Sequence, residues 1–73
     1  MRDVAVRDGV IGLGQLVKLA GLADSGADAK ALCASGVVRV NDAMETRRGR
    51  RLVVGDVVRV AQAPAVRIVA ASD

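Results

Sequence analysis

Histidine, phenylalanine, tyrosine and tryptophan are all absent from this chain. Without histidine, neither a Ser-His-Asp nor a Cys-His nucleophilic mechanism can be assembled from its own residues. Without aromatic rings, bases of single-stranded RNA have no platform on which to stack, as they do on RRM and typical OB-fold surfaces. The single cysteine, Cys33, forms no intramolecular disulfide, and one thiol with no histidine cannot make a structural zinc site. No basic residue adjoins Cys33 in sequence, so it is expected to be a small buried apolar residue of a protein from a reducing compartment. No apolar run approaches the roughly 18–20 residues of a membrane span. The charged start, MRDVAVRDG, lacks the apolar segment of a secretory signal. The expectation is a soluble, cytoplasmic, monomeric protein with no metal, cofactor or membrane partner and no enzymatic activity of its own.

What remains is small, apolar and basic. Seventy-three residues make one domain, and hydrophobic residues are 52% of the chain, so it is expected to fold. The net charge of +3 is not spread evenly. Positions 1–38 balance at zero, as do 61–73, and positions 39–60 hold six arginines against Asp42, Glu45 and Asp56. Arg47, Arg48, Arg50 and Arg51 crowd into five positions. Clustered charge sets the field at a surface, and planar guanidinium groups suit bidentate contact with phosphate.

Alternation at Val4 and Val6 suggests a short first strand. The glycine cluster GVIGLG at 9–14 does not match a dinucleotide-binding loop and reads as a flexible lead-in to a helix. Leu13, Leu16, Val17 and Ala20 then fall at i, i+3, i+4 and i+7, one apolar helical stripe that Gly21 is placed to end. Ser25 and Asp28 have the spacing of a capping box for a second helix, AKALCAS, which Gly36 is placed to stop. The remainder reads as strands. Val37–Val40 and Ala43–Glu45 flank an Asn41-Asp42 turn, Leu52–Val54 and Val57–Val60 flank Gly55-Asp56, and Val66–Val69 forms a last, edge strand after Pro64. The expected fold is α+β, with two short N-terminal helices packed on a small antiparallel sheet in the order β-α-α-β-β-β-β. The predicted core is Leu13, Leu16, Val17, Ala20, Leu32, Val38, Val40, Val58 and Ile68.

Three features could line one basic groove. The Ser25-Gly26-Ala27 turn offers free backbone N–H groups at a helix start, with Lys30 one turn on. Arg39 leaves the strand after that helix, and the Arg47–Arg51 loop carries the strongest positive field. Taken alone, a Ser-x-x-Asp cap is usually only a cap, and an arginine-rich loop can be a solvated face.

The segment SGADAKALCASGVVRVNDAMETRRGRRLVVGDVVRV resembles the RNA-binding domain named after small-subunit ribosomal protein four, whose core is called the alpha-L motif. Ser25, Ala29, Gly36, Val38, Val40, Asn41, Gly55, Asp56 and Val58 occupy the places of that family's pattern, and the resemblance covers residues 13–60. The run Glu45-Thr46-Arg47-Arg48 resembles a branch of short, stand-alone bacterial members. The chain departs from the family at Gly26, where many members carry arginine, and at Gly12–Gln15, where many begin the first helix with an Arg-x-Asp segment. The resemblance implies docking on structured RNA, of ribosomal or transfer type, possible association with ribosomal particles, and contact through Ser25, Gly26, Ala27, Lys30, Arg39, Asn41, Arg47, Arg48, Arg50 and Arg51. Asn41 has turn geometry as its competing role. The alternative function is a regulatory adaptor whose arginines meet an acidic protein.

Overall fold

The structure is a computed structural model that describes residues 1–72. Nine elements follow one another: β1 (Arg2–Val6), β2 (Val10–Gly12), α1 (Leu13–Leu19), α2 (Gly26–Ala34), β3 (Val38–Val40), β4 (Ala43–Met44), β5 (Arg51–Val53), β6 (Val57–Val60) and β7 (Val66–Ala70). The class is α+β, as the sequence implies.

The helix ends follow from local chemistry. After α1, Gly21 takes a φ of 76°, and the N–H groups of Gly21 and Leu22 donate to the carbonyls of Lys18 and Val17 at 3.0 and 2.8 Å. These two bonds are the Schellman closure that a glycine at this place permits. The Arg2 guanidinium also donates to the Ala20 carbonyl, placing a cation at the negative end of α1. At α2 the Ser25 hydroxyl accepts from the Asp28 N–H at 3.1 Å, so the cap forms as its spacing predicts.

The strands depart from the expected order in three ways. First, the glycine-rich stretch is not merely flexible. Val10–Gly12 forms β2 and pairs antiparallel with β5, with Ile11 opposite Leu52. Second, this two-stranded ribbon stands apart from the main sheet, whose order is β1-β7-β6-β3-β4. Third, β7 is not an edge. It lies between β6 and β1 and runs parallel to β1, with Val4 opposite Ile68, so the sheet is mixed and β1 takes the edge. The physical reason is the alternation in β7, where Val66 and Ile68 are buried and so call for apolar neighbours on both sides. Val4 and Val6 of β1 and Val58 and Val60 of β6 supply them.

One apolar cluster joins the helices and the inner face of the sheet. Eight of the nine predicted core residues are buried; Leu32 is only partly so, packed against the cluster from its margin. Cys33 is fully buried, as expected, and burial together with the nearby Glu45 carboxylate pushes its thiol pKa up, against a smaller opposing pull from Arg48. Among the described residues, no helix is long and apolar enough to cross a membrane.

A candidate nucleic-acid interface between two helix starts and an arginine loop

The arginine loop is built from its one carboxylate outward. Glu45 is the chain's only glutamate, and it is 7% exposed. Its Oε2 accepts from both the backbone N–H and the Nε of Arg47, each at 3.1 Å, and its Oε1 accepts from Arg47 Nη2 at 3.3 Å and Arg50 Nη1 at 3.2 Å. The Arg47 side chain holds the carboxyl pKa at about 2, with the Arg47 N–H and the Arg50 guanidinium adding to it against an opposing push from burial. Between them, the Arg50 N–H donates to the Arg47 carbonyl at 3.2 Å, closing a turn.

The backbone of the same loop seals the start of α1. The Arg50 and Arg48 carbonyls accept from the N–H groups of Leu13 and Gly14, both at 2.8 Å. Two donors that a helix start would leave unsatisfied are therefore used up by the loop. The approach is close. A Cβ on Gly14 would lie 3.2 Å from the Arg48 Cβ and 3.4 Å from its carbonyl oxygen. Glycine inside a helix is otherwise unfavourable, by about 0.5–1 kcal/mol relative to alanine. Here it lets the loop dock.

A cleft of about 390 Å³ opens where these parts meet. Gly12, Gly14, Gln15 and Lys18 of the α1 region form one wall, Gly26 and Ala29 of α2 a second, and Arg48 with Gly49 a third. Gln15 Oε1 accepts from the Gly12 N–H at 3.4 Å.

The structure brings together only some of the residues picked from the sequence. Gly26 and Arg48 line the cleft, and Ser25 and Ala27 flank Gly26 on the surface. Arg47 and Arg50 lie outside the lining, in the same loop as Arg48 and Gly49 and held there by Glu45, and Arg51 is exposed at the start of β5 opposite Gly12. Lys30 is exposed on α2 outside the cleft lining. Arg39 lies elsewhere. It alternates with buried Val38 and Val40, so its side chain projects from the sheet face turned away from the core. There it pairs across the strands with Arg59 and donates to the Asp42 carbonyl at 3.2 Å.

Asn41 has a different task. Asn41 and Asp42 adopt φ of 52° and 71°, a tight turn between β3 and β4. The Asn41 amide accepts from the Val57 N–H at 2.9 Å and donates to Asp56 Oδ1 at 3.0 Å, while Asp56 Oδ2 accepts from the Val53 N–H at 2.9 Å. Burial pushes the Asp56 pKa up, but these hydrogen bonds and the Arg50 charge outweigh it and leave it lowered. The Asn41 and Gly55-Asp56 signatures thus latch two turns together.

The sequence names Gly14 and Gln15 only within the glycine-rich lead-in to the first helix, and it does not group them with Lys18 and Gly49 as one site. The glycine cluster carried a signal, since glycine spaced through a helix start implies close backbone approach. What approaches it lies more than thirty positions away and is set by tertiary pairing.

Three comparisons bear on this arrangement. The S4 domain family pattern matches residues 4–69. A probable ribosome maturation protein, RlbA of Bacillus subtilis (strain 168), is 44% identical over 57 residues, covering 78% of this chain and 80% of that protein. The solution structure of YbcJ from E. coli, described as revealing an alpha-L motif involved in RNA binding, superposes with a TM-score of 0.63 at 36% identity, covering 94% of this chain and 85% of that one.

Proposed function

The chain belongs to the S4 domain family, and from that premise we propose that it is a non-enzymatic RNA-binding protein that docks on structured RNA through the cleft between α1, α2 and the arginine loop. The observation that carries this reading is the convergence of a nine-residue helix start with the most basic segment of the chain. From Glu45 to Arg51, four arginines stand against one glutamate. Backbone N–H groups at Gly26 and Ala27 and the Arg48 guanidinium suit phosphate, and such contacts need no aromatic platform. Residues 1–73 act as one unit in this reading, with Ser25, Gly26, Ala27, Arg47, Arg48, Arg50 and Arg51 as the phosphate-facing set and Lys18 and Lys30 flanking it. Arg39 belongs to a separate face, and Asn41 supports the fold. The relatives named for ribosome maturation and RNA binding favour ribosomal RNA as the partner and, with it, the cytoplasm as the location.

Salt titration tests the proposal. Each phosphate neutralised contributes about −0.7 to −0.9 to the slope of log K against log salt. Replacing Arg48 and Arg51 together by alanine leaves the Glu45 ion pairs intact and is expected to flatten the slope by roughly 1–2 units for an RNA hairpin. Affinity should fall alike for hairpins of different sequence, because phosphate contacts position rather than specify. An unchanged slope in the folded variant would make the loop a solvated hairpin and favour an acidic protein partner instead.

A further inference from the structure

We propose that Glu45 is the positioning residue of the RNA-binding surface: it strengthens RNA binding although its charge opposes it. This rests on the RNA reading above. On charge alone, a carboxylate amid four arginines should weaken the binding of a polyanion. The geometry points the other way. Glu45 grips Arg47 at three points and Arg50 at a fourth, all within 3.3 Å. The Arg47 side chain is 78% exposed and that of Arg50 is 32% exposed, whereas the Glu45 side chain is 8% exposed. The carboxylate is therefore sheltered beneath the guanidinium groups that it orients.

Its grip also fixes the backbone. The Glu45 N–H donates to the Val38 carbonyl at 2.9 Å, anchoring the glutamate to the end of the β3–β4 hairpin. From that anchor the loop is tied at Arg47, then at the Arg48 and Arg50 carbonyls by the N–H groups of α1. Arg48 is thereby presented over the cleft. Arg47 uses Nε and Nη2 on Glu45, which leaves Nη1 to donate outward; Arg50 keeps its other nitrogens. Arginines already ordered before RNA arrives lose less rotamer freedom on binding.

The test compares the wild-type protein with Glu45→Gln and Glu45→Asp, on an RNA hairpin and on heparin. Gln keeps the shape, but one carboxylate oxygen becomes an NH₂ that cannot accept from a guanidinium. Asp keeps the charge but is one methylene too short to hold both arginines. Both variants are expected to lose roughly tenfold in hairpin affinity, the scale of two unordered side chains. Heparin, a flexible polyanion, should bind Glu45→Gln as well as or better than wild type, because the variant is more positive. The Arg47 Nε–H resonance should be resolved in wild type and become averaged in Glu45→Gln while the backbone amides keep their dispersion. Hairpin affinity that is unchanged or improved in Glu45→Gln, or an Asp variant equal to wild type, overturns the proposal. Loss of hairpin and heparin binding together with backbone dispersion would also overturn it, showing a role in folding alone. If the wild-type protein does not bind the hairpin, the RNA reading fails, and the Arg47 Nε–H signal still decides whether Glu45 orders the loop.

Discussion

Glu45 and Asp56 are the side chains through which acid should cost the fold its stability. The Glu45 carboxyl titrates at about 2 in the folded protein against 4.5 when free. The unfolded chain therefore binds more protons between those values, so the stability due to Glu45 is complete above pH 4.5 and is lost as pH falls toward 2. Asp56, also lowered, adds to the loss in the same direction. The thermal midpoint should drop over this window, and Glu45→Gln should have a shallower drop than wild type. Cys33 makes the opposite kind of prediction. A fully buried thiol with a raised pKa should resist a disulfide reagent at neutral pH and react only when the protein is unfolded by denaturant. The burial of Cys33 is legible in the sequence, where no basic residue adjoins it. The role of Glu45 is not, because nothing in the run from Glu45 to Arg51 says which charges face each other and which face water.

Elements whose ends are fixed by local chemistry were the legible ones. Leu13, Leu16, Val17 and Ala20 mark α1, and Gly21, Ser25 and Gly36 stand where the helices begin or end. Leu16, fully buried, should cost about 2–5 kcal/mol on replacement by alanine, measured by denaturant or heat. Asn41→Ala should cost about 0.5–1.5 kcal/mol by removing the exposed hydrogen bonds to the Val57 N–H and one Asp56 oxygen. Because the amide is occupied by β6 and its turn, that variant should leave the salt dependence of RNA binding unchanged, and an altered slope would return Asn41 to the interface. Of the β2–β5 ribbon, the sequence shows β5 at Leu52–Val54 but neither β2 nor its pairing. Three residues with two glycines nearby carry too little alternation to announce a strand, and its partner lies some forty positions away.

Across the whole molecule, basic charge divides between two faces. The cleft side carries the arginine loop, while Arg39, Arg59 and Arg67 project from the open face of the sheet. Arg67 and Arg59 there have Asp3 and Asp42 as counterions at 3.2 and 3.9 Å. Such exposed pairs contribute little to stability. Arg2 serves the fold instead, holding the end of α1, so Arg2→Ala should lower the thermal midpoint and leave the salt slope of RNA binding as it was. The mixed sheet escaped the sequence because hairpin signals report only neighbours in the chain. The union of β1 with β7 leaves no such mark.

That union has a kinetic consequence. Val4 meets Ile68 across sixty-four positions, so β1 can find its partner only after synthesis has passed the last strand. Closing so long a loop is entropically late, and contacts of this range slow folding. The hairpins and helices between them have local contacts and can assemble first, with Val4 and Val6 docking at the end. A substitution at Val4 should accordingly quicken unfolding and leave the refolding rate nearly untouched, whereas one at Val38 or Val58 should slow refolding. Stopped-flow circular dichroism in the far ultraviolet would separate the two, in a protein with no tryptophan or tyrosine to fluoresce.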